Sequence, residues 1–217
     1  MGENGGSVPS GERVSMNGRS KSGIGDPTWE VAQLFPNQGS WSDGDYLSLN
    51  TNHLIELSEG RLEVLAMPTE EHQLIVAFLY DAFKSFVSAQ RLGKVLFAPL
   101  RIQLREGTFR EPDLVFLLAE NSAKRGDRYW QSADMVVEVV SADDPDRDLV
   151  VKRGEYAEAG IREYWIVDPQ DSSITVLGLE ARGTQYTKAA TYRAGDMATS
   201  ILLPDFAVDV SDVFSQT

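Results

Sequence analysis

Cysteine is absent from all 217 residues, so disulfides and thiolate metal sites are excluded. Histidine occurs only at His53 and His72, too few for a histidine-rich zinc centre. Cations are outnumbered: 20 lysines and arginines face 33 aspartates and glutamates, for a formal charge of −13. A global positive field able to hold duplex DNA non-specifically is therefore missing, although a local basic groove is not excluded. No apolar run reaches the roughly 20 residues of a membrane helix, and the first 25 residues lack the apolar core of a signal peptide. A cytoplasmic protein without membrane association is the expectation. Glycine-rich phosphate loops, HExxH and GxSxG are also missing, which removes P-loop, dinucleotide, zincin and serine-hydrolase readings.

What is present reads as a globular α/β chain. Residues 1–25 are Gly/Ser-rich without periodic apolar positions and are expected to be a flexible tail, leaving 26–217 as one domain. "SWSDGDYLSL" suits a short helix capped by Ser42 or Asp43. "HLIELSEGRLEVLA" reads as a hairpin turning at Ser58–Gly60. "PTEEHQLIVAFLYDAFKSFVSAQRLG" is the clearest helix, with Thr69 as N-cap, Leu74, Phe78, Leu79, Phe83 and Val87 on its apolar side, and Gly93 as its stop. "KVLFAPLRIQL", "DLVFLLA" and "MVVEVVS" read as strands; the last two are apolar on both faces and belong at the centre of a sheet. "DDPDRDLVVKRGEYAEAG" is a second helix ending at Gly160. "IREYWIVDP" is a further strand, followed by an outer meander and a closing strand with a short helix. The sum is an α/β fold with a mixed central β-sheet flanked by helices.

Two carboxylates interrupt the central strands. Asp113 opens one, and Glu138 sits inside the next. Burying an ionised carboxylate is costly without a partner, and a divalent cation is an efficient one; Mg²⁺ needs little more than two carboxylates, a backbone carbonyl and water. The bland alternative is a pair of strand carboxylates with purely structural partners. Lys152, on the following helix, is placed to aim its amine back at Glu138, where it could orient or deprotonate water or balance charge; solvation at the helix surface is the alternative. Glu56, inside the first hairpin strand, could supply a further oxygen or hold a metal-bound water. His72 is either a substrate-phosphate contact or a helix-terminal structural residue. Tyr156, Tyr164 and Trp165 read as core. Basic residues fall in three groups: Arg101, Arg105 and Arg110; Lys124, Arg125 and Arg128; Arg147, Lys152 and Arg153. Solubilising surface charge is their bland reading.

The stretches "HLIELSEGRLEVLAMPTEEHQ", "REPDLVFL", "ADMVVEVVSADDPDRDLVVKRGEYAEAGIREYWIVDP" and "SILLPDFAVDVSDVF" together resemble the Uma2 family (DUF820), within the PD-(D/E)xK nuclease superfamily. The resemblance runs from about Asp45 to Phe214. It implies a restriction-endonuclease-like core, with Asp113 and Glu138 as metal-binding acids and Glu56 as the early glutamate of "ELSEG". The superfamily's usual same-strand lysine falls on Val140 here; the resemblance moves its role to Lys152. A Mg²⁺-dependent DNA endonuclease is thereby implied, with Mn²⁺ as a possible substitute and Asp113, Glu138, Lys152 and Glu56 as catalytic candidates. A homodimer is expected, because cutting both strands needs two active sites or two encounters. The competing readings are a catalytically inactive nuclease-fold protein that assembles or regulates, and a phosphodiesterase acting on RNA or small nucleotides.

Overall fold

The computed structural model describes residues 35–51, 53–181 and 183–216. The tail expected over 1–25 lies outside them. The first helix among the described residues, α1 (Asp43–Ser48), starts at Ser42, whose side chain and that of Asp45 form a reciprocal capping box. Strands β1 (Ile55–Ser58) and β2 (Arg61–Val64) make the expected hairpin. Both turn residues, Glu59 and Gly60, have positive φ (48° and 73°), which matches the twist of a two-residue hairpin.

Helix α2 (Glu70–Gln90) begins at Thr69, whose hydroxyl accepts the His72 N–H. Its buried line is Ile75, Leu79, Phe83 and Val87, a strict i, i+4 row, whereas Leu74 is 39% exposed. The helix stops at Arg91, itself left-handed (φ 57°), not at Gly93. Gly93 serves the next element: it opens β3 (Gly93–Phe97), where a Cβ would stand 2.1 Å from the Leu117 carbonyl oxygen. A close backbone approach, rather than a helix cap, requires glycine there.

The segment "KVLFAPLRIQL", read as a strand, divides around Pro99 into two strands in different sheets. After β3 the chain enters β4 (Ile102–Arg105), which pairs with β5 (Thr108–Arg110). Next come β6 (Leu114–Leu118), a 3-10 turn (Ala119–Lys124) and β7 (Met135–Val139). A π-helical turn (Arg147–Lys152) runs directly into α3 (Arg153–Glu158), so the expected second helix begins irregularly. Strands β8 (Glu163–Asp168), β9 (Ser173–Leu179), β10 (Tyr186–Tyr192), β11 (Met197–Thr199) and β12 (Ala207–Asp209) follow, then α4 (Val210–Phe214).

The main sheet has the order β10-β9-β8-β7-β6-β3. Within it only β7 and β8 run parallel, joined by the crossover that carries the π turn and α3. A second sheet, β2-β1-β5-β4, and the small β11-β12 pair complete the strands described around this main sheet. Its central strands β6, β7 and β8 are buried on both faces, as their apolar sequences require. Val137 and Val139 pack with Ile75, Leu79 and Phe83 of α2, while Val136 and Val140 pack with Tyr156, Ala157 and Tyr164. This is an α/β fold with a restriction-endonuclease-like core and a mixed central sheet flanked by helices.

Candidate active site

Strand alternation decides where the two acids go. Leu114 pairs with Val137 across the antiparallel β6-β7 ladder. Extending that register by one residue sets Asp113 opposite Glu138. Glu138 shares the α3-side parity of Val136 and Val140, and Asp113 shares that of Val115 and Leu117, which lie in the same cluster. A one-residue slip in either strand would separate the acids. The amide of Val139 donates to Asp113 Oδ2 at 2.8 Å, and His72 Nε2 lies 3.2 Å from the same oxygen. His72 is thus spent on holding Asp113; burial would lower its pKa, but the bond and charge of Asp113 raise it.

Glu138 is buried, and Lys152 Nζ stands 3.0 Å from its Oε1. The Tyr156 hydroxyl donates to the same oxygen. Tyr156 was expected only in the core; its position four residues after Lys152, one turn along the same helical face, is the signal that links it to Glu138. Lys152 also lies 3.0 Å from Asp148 Oδ1 and 3.8 Å from Glu56 Oε1. Asp148 has no forerunner in the sequence reading, although its i, i+4 spacing to Lys152 is legible there.

Charge in this pocket is unbalanced. Burial is the largest influence on Glu138; Lys152 opposes it, Asp148, Asp113 and Glu56 add to it, and the carboxyl is pushed up to about 8. Burial alone would lower Lys152, but Glu138, Glu56, Asp148 and Asp113 together hold it well above an ordinary lysine. Tyr156 is raised by burial and by Glu138, so its phenol stays a neutral donor.

Glu56 lies behind Lys152, fully buried, with both oxygens engaged. Oε1 accepts the Glu111 N–H at 2.9 Å; Oε2 accepts from Arg110 Nη1 at 3.1 Å and from Arg147 Nη2. Arg110, 1% exposed, further donates to Glu63 at 2.9 Å and to both oxygens of Glu155 at 2.7 and 2.8 Å. Arg110, Arg147 and Lys152, one or two members from each of two basic groups, thus converge in the interior instead of solubilising the surface. Burial would raise the Glu56 carboxyl, but Lys152, Arg110 and Arg147 outweigh it and bring it down to about 2.

Asp113, Glu138 and Lys152 all line one cleft of about 1030 Å³, together with His72, Glu111, Arg147 and Asp148. Among the described residues, no three His, Asp or Glu side chains form a metal-coordinating group. The donor set suits a smaller demand. Asp113 and Glu138 each bind protein partners through one oxygen, and no protein hydrogen bond among the described residues reaches the other. Glu111 Oε2, in the same cleft, is buried without a hydrogen-bond partner. A hard cation that keeps most of its waters and takes two carboxylates fits this chemistry; a dehydrated cage site does not.

The Uma2 family model, described as "Putative restriction endonuclease", matches residues 43–211, and the chain belongs to that family. A crystal structure described as a putative nuclease belonging to DUF820, from Anabaena variabilis ATCC 29413, superposes with a TM-score of 0.68 at 16% identity, covering 83% of this chain and 99% of that one. At that identity the likeness shows the fold. No curated protein matches the chain.

Proposed function

We propose that the protein is a Mg²⁺-dependent nuclease, with Mn²⁺ as a substitute, that hydrolyses phosphodiester bonds in DNA and works as a cytoplasmic homodimer. The observation that carries this reading is the contact of Lys152 with Glu138 at 3.0 Å, on the strand beside Asp113. Asp113 and Glu138 would hold the cation, which when bound activates water and stabilises charge on the scissile phosphate.

The rest is the work of the chain. Without a metal, the carboxylates around Lys152 hold its pKa above that of an ordinary lysine, and as an ammonium it would stand as a positive charge beside the phosphate. Tyr156 and His72 lock the rotamers of Glu138 and Asp113. Glu56 is a positioning residue: it gathers Lys152, Arg110 and Arg147 and keeps the lysine over Glu138.

Incubating the pure protein with single-stranded and plasmid DNA in Mg²⁺ or Mn²⁺, beside Asp113→Ala, tests the reading. Cleavage by the wild type and none by the variant is expected; equal nicking by both would refute it. The excess of acid in the cleft favours a second reading, a nuclease fold without catalysis. Calorimetry that finds no Mg²⁺ or Mn²⁺ binding to the wild type would support that one.

A further inference from the structure

The cleft is poorly built for a double helix. Its described cations are Arg147 and Lys152, and both are consumed by buried carboxylates. Glu71, Asp143 and Asp144 line it as well. Binding a duplex rests on neutralising a run of phosphates, and these walls would repel them.

The same cleft is rich in exposed apolar surface. Phe97 is 52% exposed, Met67 77% and Val64 66%, and all three line it. Phe97 packs edge-on to Tyr80, with centroids 4.8 Å apart and planes at 83°, so the Phe97 ring is fixed while half of it stays open. Lys84 Nζ lies 5.1 Å from the Tyr80 centroid, putting one exposed cation beside the pair. Platform and acids line the same cleft, and the backbone links them there: Ala98, next to Phe97, donates its N–H to the Asp113 carbonyl at 3.1 Å. An open aromatic ring, a single cation and an acid-lined floor suit a flat, uncharged base with few phosphates, because stacking needs a π-face and no particular sequence.

We infer that the site takes an unpaired nucleic-acid strand, one base of which stacks on Phe97 while its neighbouring phosphodiester reaches Asp113 and Glu138. This rests on the nuclease reading and narrows its substrate to single-stranded or frayed ends.

The test is fluorescence anisotropy with a labelled oligothymidylate and a duplex of equal length, in Ca²⁺ so that binding is read apart from cleavage. The wild type should prefer the single strand. Phe97→Ala and Phe97→Leu should weaken single-strand binding about 5- to 100-fold, and Phe97→Trp should retain it. Phe97 lies at a strand end and is half exposed, so these variants should fold.

Duplex binding as tight as single-strand binding, or unchanged affinity in Phe97→Leu, would overturn the inference. So would a fall in molar mass by light scattering for Phe97→Ala with oligonucleotide binding unaltered, since a second copy of the chain would then be the occupant. A Phe97-dependent single-strand preference without Asp113-dependent cleavage in Mg²⁺ would leave this inference standing and remove the nuclease chemistry. Asp113-dependent cleavage with no role for Phe97 would do the reverse.

Discussion

Replacing Glu56 by glutamine removes one negative charge from among three cations and leaves the shape almost unchanged. The carboxyl, ordinarily near 4.5, is drawn down to about 2 by Lys152, Arg110 and Arg147 against the opposing effect of burial. Its folded pKa is below its unfolded one, so its ionisation stabilises the fold at pH above 4.5, and that contribution is lost as pH falls through 2. The difference corresponds to about 3 kcal/mol at neutral pH, falling to roughly half by pH 3. Urea denaturation of wild type and Glu56→Gln at pH 7, 5 and 3, without added metal, would measure it. The gap between the two should be nearly constant from pH 7 to 5 and then close. A gap of the same size at pH 3 as at pH 7 would refute the picture of Glu56 as an anion held by three cations. A gap below about 0.5 kcal/mol at pH 7 would do so equally.

Lys152→Met leaves Glu138, Asp148 and Glu56 facing one another without their shared ammonium. Metal-free stability should fall by about 3–5 kcal/mol in urea melts, and added Mg²⁺ should restore part of the loss. Glu138→Gln should abolish Mg²⁺-supported cleavage in a gel assay while circular dichroism stays native. Gly93→Ala drives a Cβ to 2.1 Å from the Leu117 carbonyl, so thermal unfolding should show a loss of about 2 kcal/mol or more. Thr69→Ala removes the N-cap of α2, and the same melts should register about 1 kcal/mol.

Local chemistry was enough to read much of this protein from its residues. A helix with a capping threonine and an apolar repeat, or a strand apolar on both faces, declares itself within a dozen residues because caps and side-chain periodicity are short-range. Asp113 and Glu138 stood out for a similar reason: one is a charge at the mouth of an apolar run and the other a charge inside one. Short-range signals also misled. Leu74 and Ile75 are equally apolar, and only the direction in which α2 lies on the sheet buries the second and exposes the first. Gly93 looks like a helix stop until the Leu117 carbonyl is placed against it. Nothing near Pro99 tells that β3 and β4 part into separate sheets.

The surroundings of the acids belong to the tertiary structure alone. Glu56 and Arg147 are 91 residues apart in the chain, and no spacing rule joins them. Their meeting depends on one hairpin being packed against the crossover between β7 and β8. Whether two strand carboxylates face each other turns on a register that a single-residue slip would reverse. Residue types alone singled out which groups could do chemistry; sheet pairing settled which of them share one low-dielectric pocket, and thereby the direction in which each pKa moves.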